Sequence, residues 1–315
     1  MDNRRQESFR SSPPSDDGAR LPFVEPQGHI QPHTLDELWF HTGTACNLAC
    51  PFCLEGSKPG DDRLQLLRLG DAVPFIEEAL TLGVKRFSFT GGEPFINKDI
   101  IPILAYALRH RPCLVLTNGT EPLLRRVKQL EPFLGCEYTL SFRVSLDFPD
   151  QVRHDAGRGE GMFASALAGL RQLHEMGFHV SVATQLSRGE SANAPAAFAD
   201  ILSDAGLPGN LPIVEFPEFH PPGAHVSTPR ITENCLASYQ TAESRRSFMC
   251  AFSKMVAKTE GRMKVYACTL VDDNPEYMLG ETLADAMQVA ISLKHHRCYS
   301  CFRYGASCSE VNHGA

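Results

Sequence analysis

Cys46-Asn47-Leu48-Ala49-Cys50-Pro51-Phe52-Cys53 follows directly on the first apolar run of the chain, residues 37–41. The Cys-x3-Cys-x2-Cys spacing sets three thiols on one short loop at the end of an expected strand. Closed zinc and iron–sulfur sites usually take four protein ligands. Three ligands leave one coordination position open, and an open position is where a substrate or cofactor binds.

Working outward from that loop, short apolar runs alternate with longer amphipathic stretches. Strands are expected near 38–41, 85–90, 114–117, 139–146, 179–185 and 213–216. Helices are expected near 71–82, 98–109, 122–129, 163–176 and 194–205, with Gly83 and Gly177 marking two helix ends. Regular strand–helix alternation predicts a parallel sheet with helices outside. Six strands are too few for a closed eight-stranded barrel, so the expected fold class is α/β, a partial (β/α)6 TIM-like barrel. Residues 1–30, rich in Ser, Pro, Asp, Arg and Gly, read as a disordered tail, and 31–225 as the barrel. His220-Pro221-Pro222-Gly223 breaks the alternation, and 226–315 reads as a small cysteine-rich extension.

Composition narrows the function classes. A net charge of −7 without a Lys/Arg run gives no support to a nucleic-acid partner. No apolar stretch approaches the roughly 18–20 residues of a membrane span, and the start Met-Asp-Asn-Arg-Arg lacks the apolar core of a secretory signal. A cytoplasmic protein without a membrane partner is expected. Eleven cysteines, odd in number and clustered, then point to metal or iron–sulfur ligation rather than to disulfides. Cys113 and Cys136 read as core residues, and Cys235 as a free thiol.

In parallel α/β folds the functional residues sit on loops at the carboxyl ends of strands. Besides the cysteine loop, three segments meet that condition: Gly91-Gly92-Glu93-Pro94, Thr117-Asn118-Gly119, and the end of Phe142-Arg143-Val144-Ser145-Leu146-Asp147. Glycines 91 and 92 let the backbone approach a ligand closely. Taken alone, each segment is also compatible with an ordinary turn.

Together, the three-cysteine loop with Phe52 before its last thiol, and Gly91–Pro94 one βα unit later, resemble the radical S-adenosylmethionine superfamily. The resemblance covers about residues 36–220 and includes Thr117-Asn118-Gly119, Val144-Ser145-Leu146-Asp147 and Gly157-Arg158-Gly159. It implies that Cys46, Cys50 and Cys53 hold a 4Fe-4S cluster whose fourth iron is chelated by the amino and carboxylate groups of S-adenosylmethionine. Reductive cleavage of the sulfonium then gives methionine and a 5′-deoxyadenosyl radical, which takes a hydrogen atom from the substrate. The resemblance also implies an outside electron donor of flavodoxin or ferredoxin type. It places Gly91, Gly92, Glu93 and Pro94 near the amino group of S-adenosylmethionine and the main chain of Phe52 near adenine. Asn118 and Ser145 fall near the nucleoside or methionine part, and Arg158 near the carboxylate, for which a guanidinium fork is suited.

The distal cysteines, Cys250-x17-Cys268-x29-Cys298-x2-Cys301-x6-Cys308, resemble the SPASM/twitch extensions of sulfatase-maturating and peptide-modifying enzymes. They fall short of a full two-cluster set, which implies one auxiliary 4Fe-4S cluster on Cys250, Cys268, Cys298 and Cys301, with Cys308 as a spare ligand. A zinc knuckle built from Cys298-x2-Cys301 with two other thiols, or with His295 or His296, is the alternative for this module. The implied function is radical oxidation, cross-linking or maturation of a peptide or protein side chain, or of a small metabolite. Glu215, Glu218 and His220 are candidates for a base. The competing class is a non-catalytic iron–sulfur electron carrier or a zinc-structural protein.

Overall fold

The computed structural model describes residues 25–185, 194–216, 220–272, 274–305 and 309. Its first described strand is β1 (His29–Ile30). Six further strands follow in the barrel: β2 (Glu37–His41), β3 (Arg86–Thr90), β4 (Cys113–Thr117), β5 (Leu140–Ser145), β6 (His179–Gln185) and β7 (Ile213–Phe216). These six are parallel and lie side by side in chain order. Helices α1 (Leu69–Thr81), α2 (Ile100–Ala107), α3 (Glu121–Leu124), α4 (Gln151–Arg158), α5 (Met162–Met176) and α6 (Ala194–Asp204) fill the crossovers. The expected α/β class with a (β/α)6 succession is therefore what the chain adopts.

Alternation along the strands separates two environments. Leu38, Phe40, Phe87, Phe89, Phe142 and Val144 pack into one core together with residues of α1, α2 and α5. Trp39 and Leu114 belong to a second core, built mainly from the C-terminal third of the chain. All five residues of β2 are buried, as expected for a parallel strand covered on both faces.

Several expectations need correction. Of the tail expected over 1–30, residues 1–24 lie outside the described residues, whereas 25–30 are tied down: His29 and Ile30 pair with Ser292 and Ile291 of β11 (Ile291–Ser292). The extension read over 226–315 contributes strands to the barrel's sheet. Its strand β8 (Ser253–Thr259) pairs in parallel with β2, and β9 (Arg262–Tyr266) and β10 (Met278–Gly280) continue the same nine-stranded sheet. Adding β8 covers the β2 edge, which would otherwise leave main-chain groups unpaired. The helix expected over 122–129 is split into α3 and a 3-10 stretch, Val127–Gly135, with prolines at 122 and 132. Residues 157 and 158, which fall in none of the expected helices, are the end of α4, and Asp150 caps that helix by accepting from the Arg153 N–H at 2.8 Å.

Candidate active site

The cysteine loop leaves the carboxyl end of β2 and is pinned by its neighbours. Gly92 N–H donates to Gly43 O (2.9 Å) and Glu93 N–H to Ala45 O (3.0 Å). This close packing explains the glycine at 92: a Cβ there would lie 2.3 Å from the Ala45 carbonyl oxygen. On the other side, Asn118 Nδ2 donates to Asn47 Oδ1 (3.0 Å), Asn47 Nδ2 to Thr120 Oγ1 (3.0 Å), and Thr120 Oγ1 to Asn118 Oδ1 (2.7 Å). That ring of amides ties the loop between the first and second cysteines to the end of β4.

Cys46, Cys50 and Cys53 all face one cavity of about 220 Å³ at the carboxyl ends of the strands. Phe52, Gly91, Gly92, Asn118, Ser145 and Arg158 line the same cavity, so these residues singled out in the sequence are brought together. Glu93 and Pro94 are buried but do not line it. The Glu93 carboxylate instead accepts from the Phe95 N–H (3.1 Å), the Thr117 hydroxyl (2.9 Å) and the Asn118 N–H (2.8 Å). It thus acts as a brace between β3 and β4, and burial lifts its pKa to about 7 against the pull of those donors.

Arg158 reaches the cavity wall already engaged. Its Nε and Nη2 donate to Asp147 Oδ2 and Oδ1 at 2.5 and 2.9 Å, a two-pronged pair in which both side chains are mostly buried. The carboxylate expected for Arg158 in a bound cofactor therefore has a competitor inside the protein. The Phe52 ring packs on Gly157 and lies 5.8 Å from the Arg158 guanidinium.

Residues that sequence reasoning missed complete the wall. Trp39, Leu116, Thr184, Gln185 and Phe216 come from inward positions or strand ends, a period-2 signal available once the strands are known. Phe216, not the candidate base Glu215, faces the cavity. Exposed His220 contributes its carbonyl to Arg297, and Glu218 lies outside the described residues.

Glu55 also lines the cavity and belongs to a buried network with His41 and Asp272 whose ligand atoms lie within 4.8 Å of one another. Gly43 N–H donates to His41 Nδ1 (3.2 Å), so Nε2 carries the ring proton and donates to Glu55 Oε2 (3.1 Å). Arg63 stands 3.6 and 3.5 Å from Glu55 and Asp272. A neutral imidazole that spends its Nε2 proton on Glu55, beside a guanidinium, suits a hydrogen-bonded network rather than a metal site. Burial pushes Asp272 up to about 8, reinforced by the Glu55 charge, and burial pushes His41 down to about 4.

A second thiol group lies beyond Thr269, which lines the first cavity. Cys250, Cys268, Cys298 and Cys301 converge on a small apolar pocket with Phe248, Tyr277 and Leu293. Burial raises three of these thiols, Cys250 to about 12, Cys268 to about 11 and Cys298 well above its ordinary value. Four thiols facing one space, three of them on buried residues and Cys298 half-buried, suit a thiophilic metal or cluster, which would take them as thiolates. Three thiols on an open cavity suit a cluster with an available coordination site. Cys235 is bonded to Thr232 away from both groups, and Cys308 lies outside the described residues. No helix among the described residues is long and apolar enough to cross a membrane.

Comparison with known proteins agrees with this geometry. Residues 40–201 match the family described as the Radical SAM superfamily. The chain is 30% identical over 189 residues to a GTP 3′,8-cyclase of Synechococcus sp. (strain CC9902), covering 54% of this chain and 52% of that protein. It is 31% identical over 135 residues to mycofactocin maturase MftC of Mycolicibacterium smegmatis, 42% and 33% of the respective chains. It thus spans about half or less of these curated relatives. In overall fold it is similar to Streptococcus suis SuiB bound to precursor peptide SuiA (TM-score 0.58, 15% identity, 82% of this chain and 66% of that one). It is likewise similar to anSMEcpe with bound AdoMet (TM-score 0.58, 13% identity, 84% and 78%). The family's enzymes use a 4Fe-4S cluster and S-adenosylmethionine, which the three-thiol cavity fits. By its cysteine loop, its parallel strand succession and this match over half its length, the chain belongs to the radical SAM superfamily.

Proposed function

We propose that the protein cleaves S-adenosylmethionine reductively at Cys46, Cys50 and Cys53 and abstracts hydrogen from a peptide or protein side chain. Cys250, Cys268, Cys298 and Cys301 would hold a second iron–sulfur cluster, which would supply an acceptor for one electron from the substrate radical and make the net reaction an oxidation or cross-link. The observation that carries this reading is the shared wall between the two thiol sets. Thr269 lines the open cavity, while its neighbours Cys268 and Leu270 line the second pocket.

When bound, the cofactors supply one-electron cleavage of the sulfonium C–S bond and radical hydrogen abstraction. The chain supplies the rest. Its three thiols hold the cluster, and Gly91 and Gly92 keep the β3 loop free of side chains against the cavity. Trp39, Leu48, Leu116 and Phe216 exclude water. Ser145, Thr184 and Gln185 offer polar groups that orient a bound molecule. The electron enters from a flavodoxin- or ferredoxin-type donor.

Similarity to SuiB, whose structure includes a precursor peptide, and to a mycofactocin maturase supports a peptide substrate. The second reading, a small metabolite, is favoured by the similarity to GTP 3′,8-cyclase. Anaerobic reconstitution with dithionite and S-adenosylmethionine tests the core of the proposal. 5′-Deoxyadenosine is expected from the intact chain and none after Cys50→Ala. Its absence from fully loaded protein supports an electron carrier instead, and stoichiometric zinc without iron supports a zinc-structural protein. Replacing Cys268 or Cys298 should spare uncoupled cleavage and stop product formation.

A further inference from the structure

Arg297 is 1% exposed, yet its guanidinium reaches three separate segments. Nη1 donates to Leu270 O (3.0 Å), and Nη2 to Leu54 O (3.0 Å) and His220 O (2.8 Å). Leu54 directly follows Cys53, Leu270 lies two residues beyond Cys268, and Arg297 itself precedes Cys298. Leu54 lines the open cavity, whereas Leu270 and Arg297 line the second pocket. One side chain therefore bonds the main chain beside a thiol of each set. A planar guanidinium meets carbonyls in several directions at once, which a single ammonium on a flexible stem does less rigidly.

We infer that Arg297 is the positioning residue that couples the two thiol-held sites, fixing their separation and placing a positive charge in the wall between them. The inference rests on the proposed second cluster. The step it serves moves one electron between two iron–sulfur centres: one is oxidised by one electron, the other reduced by one, and no covalent bond forms or breaks. Net charge and hydrogen bonding around a cluster set its potential, so a fixed cation near both raises both potentials.

The test uses full-length protein, reconstituted anaerobically, as Arg297→Lys and Arg297→Met variants. Iron and sulfide are counted first. Potentials are then read by EPR-monitored redox titration, and the magnetic interaction between the two reduced clusters by EPR line shape and relaxation. Arg297→Met is expected to shift both midpoint potentials to lower values and to lose the wild-type interaction. Arg297→Lys is expected to keep potentials near wild type while broadening the distribution of interaction strengths. Should Arg297→Met fail to load both clusters, Arg297→Lys decides alone, and a wild-type interaction in it overturns the inference. Unchanged potentials in a loaded Arg297→Met variant overturn it as well. If the wild-type chain holds iron for one cluster only, the two-cluster reading and this inference both fall. Two clusters that are indifferent to Arg297 sink this inference alone.

Discussion

Gly157 meets the ring of Phe52 so closely that a Cβ on it would lie 2.4 Å from Phe52 Cε1. The end of α4 is thereby the floor on which the residue before Cys53 rests, and the third thiol is placed by a helix about a hundred residues away.

Gly157→Ala tests that contact against helix propensity, because the two effects have opposite signs. Alanine in a helix gains roughly 0.5–1 kcal/mol over glycine, while overpacking a filled site costs about 1–3 kcal/mol. A net loss of stability in urea unfolding is expected, with less iron retained per chain. A stabilised variant with full cluster content contradicts the contact.

Glu93 accepts from three donors in a buried setting, so Glu93→Ala leaves Thr117 Oγ1 and two main-chain N–H groups without it. Each orphaned buried donor costs on the order of 1–3 kcal/mol. Glu93→Gln retains one acceptor oxygen and should lose less. Denaturant midpoints rank the three proteins, wild type above Gln above Ala.

Arg158 and Asp147 form a mostly buried ion pair, and removing one partner of such a pair costs about 3–5 kcal/mol. Arg158→Met and Asp147→Leu should each destabilise strongly, and the double variant by less than their sum. A double-mutant cycle measures the coupling. If Arg158 also meets a bound carboxylate, calorimetry on the loaded double variant shows weaker S-adenosylmethionine binding.

Asp272 gives the pH prediction. Its folded-state pKa of about 8 lies above its ordinary 3.8. Between those values the folded chain holds a proton that the unfolded chain has released. Stability therefore falls as pH rises through that window, at up to about 1.4 kcal/mol per pH unit from this group, and levels off above it. Glu93, raised from 4.5 to about 7, adds a slope of the same sign. Thermal midpoints of cluster-free protein across the window should drop with pH, and Asp272→Asn should flatten the part above pH 7.

Much of the fold was legible because its signals are local. The runs at 179–185 and 213–216 coincide with β6 and β7. Helix α4 was not legible, since Gln-Val-Arg-His-Asp-Ala-Gly-Arg shows no apolar stripe and buries only His154. Its Asp150 cap was the signal available. Strand β8 was hidden for a related reason: Lys254 interrupts its apolar run, yet is fully buried, donating to the Cys250 and Ser253 carbonyls.

The amino-acid sequence alone determined the chemistry of the cysteine loop. Three thiols within eight residues meet through chain connectivity, whatever surrounds them. The tertiary structure decided which groups are committed elsewhere. It turned Glu93 toward Thr117 and Asn118, and engaged Arg158 with Asp147. It also set Arg297 against Leu54, 243 residues away in the chain. Such choices follow from which loops the strand order brings together and from the cost of burying a polar group without a partner. Neither is written in local spacing.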